Sequence, residues 1–245
     1  MLKPLLAAAL LLLPSVTQAQ DRELPPVTHP VIAAVGADAK AFVPQGWTLE
    51  QQQAGDLNGD GLSDLALALH QQDPRNIIPN PGGFCGETLD TNPRILAVAL
   101  AQPGGGYRLA MQNHSLVPRR DNPCAEDWFS ADSVIDGGIE IKHGALQVRL
   151  SLFMGAGGWD MGYSVFTFRW QRDALRLIGF DSTNTQRNSG EAQTLSINYL
   201  TRRVRTGRGS MENDRETVRW STLPARAPLT IDQVGDGMAF DPSHP

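Results

Sequence analysis

Ser164-Val165-Phe166-Thr167-Phe168-Arg169-Trp170 alternates residue by residue. Phe166, Phe168 and Trp170 share one face and Val165, Thr167 and Arg169 the other, the period of a half-buried β-strand. The neighbouring segments repeat the pattern. Upstream, residues 138–142 (GIEIK) and 145–153 (ALQVRLSLF) flank a His143-Gly144 turn. Downstream, residues 171–173 turn the chain into 175–180, and 195–199, 204–206 and 216–220 read as further strands. Nearer the N-terminus, 46–49 reads as a short strand and 65–69 (LALAL) as an apolar run of strand length. Residues 94–101 (RILAVALA) read as a buried strand that returns through the turn at 103–106 into 107–111. No run of ten residues after position 19 shows a 3.6-residue period. The chain is therefore expected to be all-β, an antiparallel meander forming a sandwich, barrel or propeller-like stack. Irregular stretches at 71–92 and 118–128 interrupt it.

The N-terminus points to export. Lys3 is the only charged side chain before Asp21, residues 5–13 are all Leu and Ala, and Thr17-Gln18-Ala19 presents small residues at a cleavage position. This is the layout of a secretory signal peptide over residues 1–19. Nine apolar residues are too few for a membrane span, which needs about 20. Removing residues 1–19 from the 245 leaves 226, and the formal charge of −5 becomes −6 with the loss of Lys3. An acidic chain without a basic tract argues against nucleic acid as partner. No later segment is apolar enough to span a membrane. The expected location is periplasmic or secreted. Residues 20–41, rich in Pro and small residues, read as a flexible N-terminal arm, followed by one all-β domain over 42–245.

Cys85 and Cys124 are the two cysteines. In an oxidising compartment an even count predicts a disulfide. It would close a loop of about 40 residues, for which the chain-entropy account gives about 4 kcal/mol. Both lie in segments rich in Gly, Pro and Asn, which lack a core of their own and gain from a covalent staple.

One motif carries metal chemistry. Residues 55–64 read Gly-Asp-Leu-Asn-Gly-Asp-Gly-Leu-Ser-Asp. Counted from Asp56, oxygen-bearing side chains fall at positions 1, 3, 5 and 9 (Asp56, Asn58, Asp60 and Asp64), with Gly61 at position 6 and the carbonyl of Leu62 at position 7. Calcium takes six to eight oxygen ligands, and alternate residues of a tight loop converge on one ion. The same side chains can also hold a turn by bonding their own backbone. Position 12 is Leu67 and not a bidentate Glu, and the following segment is strand-like, so this is not an EF-hand. It resembles the loop of FG-GAP and VCBS-type repeats, in which G-D-x-N-x-D-G-x-x-D-L opens a strand. The resemblance covers about a dozen residues in a single copy. It implies that Asp56, Asn58, Asp60 and Asp64 hold a structural calcium between two strands. The chain after the signal peptide is also similar to a group of exported bacterial proteins of unassigned activity. In that group a D-x-N-x-D segment precedes a meander containing S-I-N-Y-L-T, here residues 196–201. That resemblance implies no function.

The remaining candidates are weaker. The five histidines form no H-x-H or H-E-x-x-H pair, and no G-x-S-x-G elbow or Walker glycine pattern is present. Residues 154–163 (MGAGGWDMGY) read as a long loop. Its Trp159, Asp160 and Tyr163 could form a recognition surface for sugar rings or a protein partner, or fold back on the core. Glu126 with Asp127, and Asp132 with Asp136, are acids near the cysteine loop that a hydrolase could use. The first functional expectation is a calcium-binding, non-enzymatic binding module at the cell envelope with a protein or glycan partner, of inhibitor or immunity type for instance. The alternatives are an envelope-polymer hydrolase using those acids and a purely structural envelope protein.

Overall fold

The computed structural model describes residues 23–243. The signal peptide expected at 1–19 lies outside them. The chain forms β1 (Val35–Gly36), β2 (Trp47–Gly55), β3 (Asp64–Gln71), the short β4 (Ile77–Pro79) and β5 (Thr88–Asp90), β6 (Arg94–Ala101) and β7 (Tyr107–Asn113). It continues through β8 (Gly138–Lys142), β9 (Ala145–Phe153), β10 (Asp160–Gln171), β11 (Ala174–Gln186), β12 (Glu191–Asn198), β13 (Arg203–Ser210) and β14 (Asn213–Thr222), and ends in the four-residue helix α1 (Ile231–Val234). Sheet I has the order β1-β7-β6-β3-β2; sheet II is a pure meander from β8 to β14; β4 and β5 pair separately. Every pairing is antiparallel, as the sequence predicts. The two sheets share a core, and sheet II curls as a half-barrel.

Strands β3 and β6 lie in the middle of sheet I and are buried on both faces, which is why they read as continuous apolar runs and not as alternating ones. Their side chains are matched in size across the register. Toward sheet II, Ala66 faces Val98 and Ala68 faces Leu96; on the outer side, Leu65 faces Ala99 and Leu67 faces Ala97. These four pairs match a large residue with a small one, while Leu69 and Ile95 pair large with large at the end of the outer face. The inner face packs against Leu146, Val148, Leu150, Phe166, Phe168 and Phe180 of sheet II. The alternation of 164–170 holds: Phe166 and Phe168 are fully buried in that core.

The outer face of sheet I is covered by the segment expected to be a flexible arm. That expectation is corrected from Ile32 onward. Ile32, Ala39 and Phe42 pack on Trp47, Leu65, Leu67, Leu69 and Ile95 in a second core, and β1 pairs with β7. The physical reason is the apolar outer face, which needs a cover. Earlier in the arm, Arg119 Nη1 donates to the Pro25 carbonyl at 2.6 Å. Two other boundaries differ from expectation. β2 is nine residues long, and residues 160–163 belong to β10 and not to a loop.

Two-residue turns set the register of the meander. His143 and Gly144, and Arg172 and Asp173, all have φ between 51° and 68°, the left-handed values that suit a hairpin to twisted strands. At the closed edge, Gln51 of β2 accepts from the Ile139 amide at 2.9 Å and so ties sheet I to β8. Phe42→Ala should cost about 3–5 kcal/mol in urea unfolding, the penalty of emptying a full core site. A cost under about 1 kcal/mol would show that the N-terminal segment is not part of the core.

Candidate functional site

Residues 56–63 join β2 to β3, and their acids are wired to the loop's own backbone. Asp56 accepts from the Gly59 amide through Oδ1 (2.7 Å) and from the Gly61 amide through Oδ2 (2.9 Å). Asn58 Oδ1 accepts from the Asp60 amide at 3.0 Å, and Asp60 Oδ1 from the Leu62 amide at 2.8 Å. Gly59 and Gly61 both have φ of +83° with open space around an added Cβ, so conformation and not room calls for glycine. Leu57 anchors the loop in the main core. Asp64 is completely buried; its Oδ2 accepts from the Leu57 amide and its Oδ1 from the Ala101 amide, each at 2.9 Å. It therefore clamps the loop to the end of β6.

Among the described residues no three His, Cys, Asp or Glu side chains stand together as a ready-made metal cluster. The donor set itself is all oxygen, from Asp56, Asn58, Asp60 and the Leu62 carbonyl. That set fits a hard cation, and the backbone bonds already fold the loop around these side chains.

The disulfide between Cys85 and Cys124 is formed. It staples the β4–β5 loop, which Asn80 also braces by donating to the carbonyls of Phe84 and Gly86. Of the acids near it, Asp127 is an ion-pair partner. Arg94, almost completely buried, donates to Asp127 from Nη1 and Nη2 (3.0 and 2.7 Å) and to Glu50 from Nε and Nη2 (2.6 and 2.7 Å). Glu50 is the extra residue of a bulge in β2, where the register shifts between Leu49 and Gln51. Burial alone would push the Asp127 carboxyl up, but the charge and hydrogen bonds of Arg94 and the Phe129 amide hold it below the usual carboxylate range. Burial, and then the charge of Arg94, lower the His70 imidazole beside Glu50. Glu126 accepts from the Val134 amide at 2.8 Å, and Asp132 and Asp136 are exposed. This arrangement suits a structural brace. Asp127, ionised at neutral pH, has no proton to give as a general acid.

Trp159, Asp160 and Tyr163 do not form one surface. Trp159 is 55% exposed at the loop tip, with the Arg187 guanidinium 5.8 Å from its ring centroid. Tyr163 lies on the convex face of sheet II under Arg149, 4.3 Å away. Asp160 points to the opposite, concave face and accepts from Asn184 and Gln186. Their separation follows from strand alternation, since residues 160–163 are strand.

The concave face is the site that sequence reasoning missed. Near the core it is apolar: Val148, Phe166, Phe180, Ile197 and Val204 lie side by side across five strands. One strand pleat further along, the row is Ser182, Leu195, Thr206 and Arg219; the next is Asn184, Gln193, Arg208 and Thr217. These two rows floor an open groove of about 400 Å³. The available signal was the phase of β11. The β10–β11 register slips at Thr167/Phe168, which puts Phe180, Ser182 and Asn184 on the core-facing side. The in-facing positions therefore turn polar beyond the row of Phe180, Ile197 and Val204. The chain matches no family model, no curated protein and no solved structure.

Asp64→Asn keeps the shape of the side chain but sets an NH2 group against a buried amide. It should cost about 1–3 kcal/mol in urea unfolding, with calcium or with chelator. An unchanged midpoint would remove the clamp. Asp127 contributes stability that is complete above the ordinary carboxylate pKa of about 3.9 and is lost as pH falls through its lower folded-state value. Unfolding followed from pH 7 to pH 2 should show a steeper acid limb for wild type than for Asp127→Asn; parallel curves would discount the pair.

Proposed function

We propose that this chain is an exported, non-enzymatic binding module of the cell envelope, facing a protein or glycan partner with the distal concave face of sheet II. The observation that carries this reading is the passage of one sheet face from core to an uncovered groove. Eight side chains there, all but Leu195 polar, lie side by side, and among the described residues no element covers them. Converging hydrogen-bonding groups in a concavity are the usual mark of a recognition site. Export is supported by the N-terminal sequence, and the disulfide is compatible with an oxidising compartment. In the same proposal calcium occupies the 56–64 loop, held by Asp56, Asn58, Asp60 and the Leu62 carbonyl above Asp64. The ion would supply a fixed charge that locks the β2–β3 hairpin, with no part in chemistry.

Residues 20–245 should sediment with purified peptidoglycan sacculi or outer-membrane vesicles and release no soluble fragments from them. Thr206→Trp, which fills the groove from an exposed position, should abolish sedimentation at unchanged thermal midpoint. Fragment release would make the chain a hydrolase; binding that survives Thr206→Trp, or no binding by wild type, would overturn the groove as the recognition surface. Calcium at a hundredfold excess over Kd should stabilise wild type by about 2.7 kcal/mol and leave Asp60→Ala unmoved. No response to calcium or chelator in wild type would reduce the loop to a turn.

A further inference from the structure

We infer that the groove takes an anionic polysaccharide, with sugar carboxylates seated on Arg208 and Arg219; this rests on the distal face being the binding surface. Among the described residues neither guanidinium has an ion-pair or hydrogen-bond partner; Asp160, which accepts from the groove residue Asn184, lies on β10, three strands away from Arg208. The opposite face of the same strands is treated differently. There Arg205 pairs with Glu216, which also accepts from Thr194 at 2.6 Å, and Arg203 stacks 4.4 Å over Trp220. The convex arginines are neutralised or stacked, and the concave ones are left open. Residues 202–226 hold seven arginines against three acids in a chain of net charge −5, so the excess positive charge is local to this end of sheet II.

The side chains between the arginines say what kind of anion fits. Arginine presents a planar fork of donors that matches a carboxylate in a bidentate way. Arg208 faces Thr217, and Arg219 faces Thr206 on the adjacent register pair. The two arginines are therefore diagonal neighbours, rooted about 7–8 Å apart, a spacing that suits a chain with repeated charges better than a single small acid. Asn184 and Gln193 add amides and Thr206 and Thr217 add hydroxyls, groups that both donate to and accept from sugar hydroxyls. An acidic peptide would want apolar pockets for anchoring side chains. The only apolar side chain in the groove is Leu195, so the polysaccharide is favoured.

The test is titration calorimetry of residues 20–245 with three probes: polygalacturonate, the same polymer with its carboxylates reduced to neutral alcohols, and polyglutamate. Polygalacturonate should bind, and binding should weaken with added salt. The carboxyl-reduced polymer, and polygalacturonate with Arg208→Gln/Arg219→Gln, should each bind about tenfold or more weakly, as expected for loss of charge-assisted hydrogen bonds. Both arginines are surface residues, and an unchanged thermal midpoint in the double variant checks that it is folded. Equal affinity for the neutral polymer, tighter binding of polyglutamate, or an unchanged Kd in the double variant would overturn the inference. If wild type ignores polygalacturonate but sediments with envelope fractions in a Thr206→Trp-sensitive way, the anionic assignment falls and the binding surface stands. If sedimentation is insensitive to Thr206→Trp, both fall.

Discussion

Strands β3 and β6 have no polar face, and that fact organises the molecule. A two-sided apolar strand pair at the centre of a sheet needs a cover on each side. On the inner side the cover is sheet II, with its phenylalanines on Ala66, Ala68, Leu96 and Val98. On the outer side it is the N-terminal segment, with Ile32 and Phe42 on Leu65, Leu67 and Ile95. The covers are unequal in extent. β3 and β6 are eight residues long, whereas β10 and β11 run to twelve and thirteen. The groove lies further along the concave face of sheet II, where β11 to β14 line it and its outer side chains are exposed.

Each end of the β3–β6 pair carries one buried charge, and each charge is fully engaged. At one end the Asp64 carboxylate takes amides from the hairpin loop and from Ala101. At the other the Arg94 guanidinium holds Glu50 and Asp127 and lies 5.3 Å over the Phe129 ring. A buried ion without partners would cost several kcal/mol. With partners, these groups act as tie points that attach irregular segments to the sheet. Residues 72–92 and 118–137 have little core of their own. Arg94, the disulfide and the Arg119 bonds to Thr91 and Asn76 give them a fixed course. Of the acids noted in the sequence, Asp127 and Glu126 are tied into this framework, while Asp132 and Asp136 are exposed.

The two faces of the distal sheet differ in a way that bears on recognition. On the convex side, arginines are matched by Glu216 and Trp220, so that surface is electrostatically satisfied. On the concave side the Arg208 and Arg219 guanidiniums have no protein partner among the described residues, while Asn184 donates to Asp160 and Thr206 to the Arg219 carbonyl. Desolvating such groups against a ligand that offers equivalent partners costs little, whereas an apolar partner would leave them unpaired. In the proposed binding mode such a face would select a polar ligand over an apolar one.

Local chemistry alone was enough for much of this. Alternation in 164–170 named the inward phenylalanines, the unbroken runs at 65–69 and 94–101 marked the doubly covered strands, and His143-Gly144 marked a hairpin, because each signal depends only on neighbours in the chain. Cysteine parity gave the disulfide for a similar reason, there being one way to pair two thiols. The loop at 56–64 was legible as a tight turn of convergent oxygens, but not the inward turn of Asp64 toward Ala101, 37 residues away. Nor could the sequence foresee that residues 32–42 would be core, that Asp127 would meet Arg94, or that Asp160 and Tyr163 would part to opposite faces. Those outcomes depend on which segments are strand, on register and on which layers meet. The bulge at Glu50 and the slip at Thr167/Phe168 help decide which side chains point where, and the packing of two different sheets decides which of them are covered. Neither is a property of any short stretch of chain, so the fold class was written locally while the groove was made only by packing.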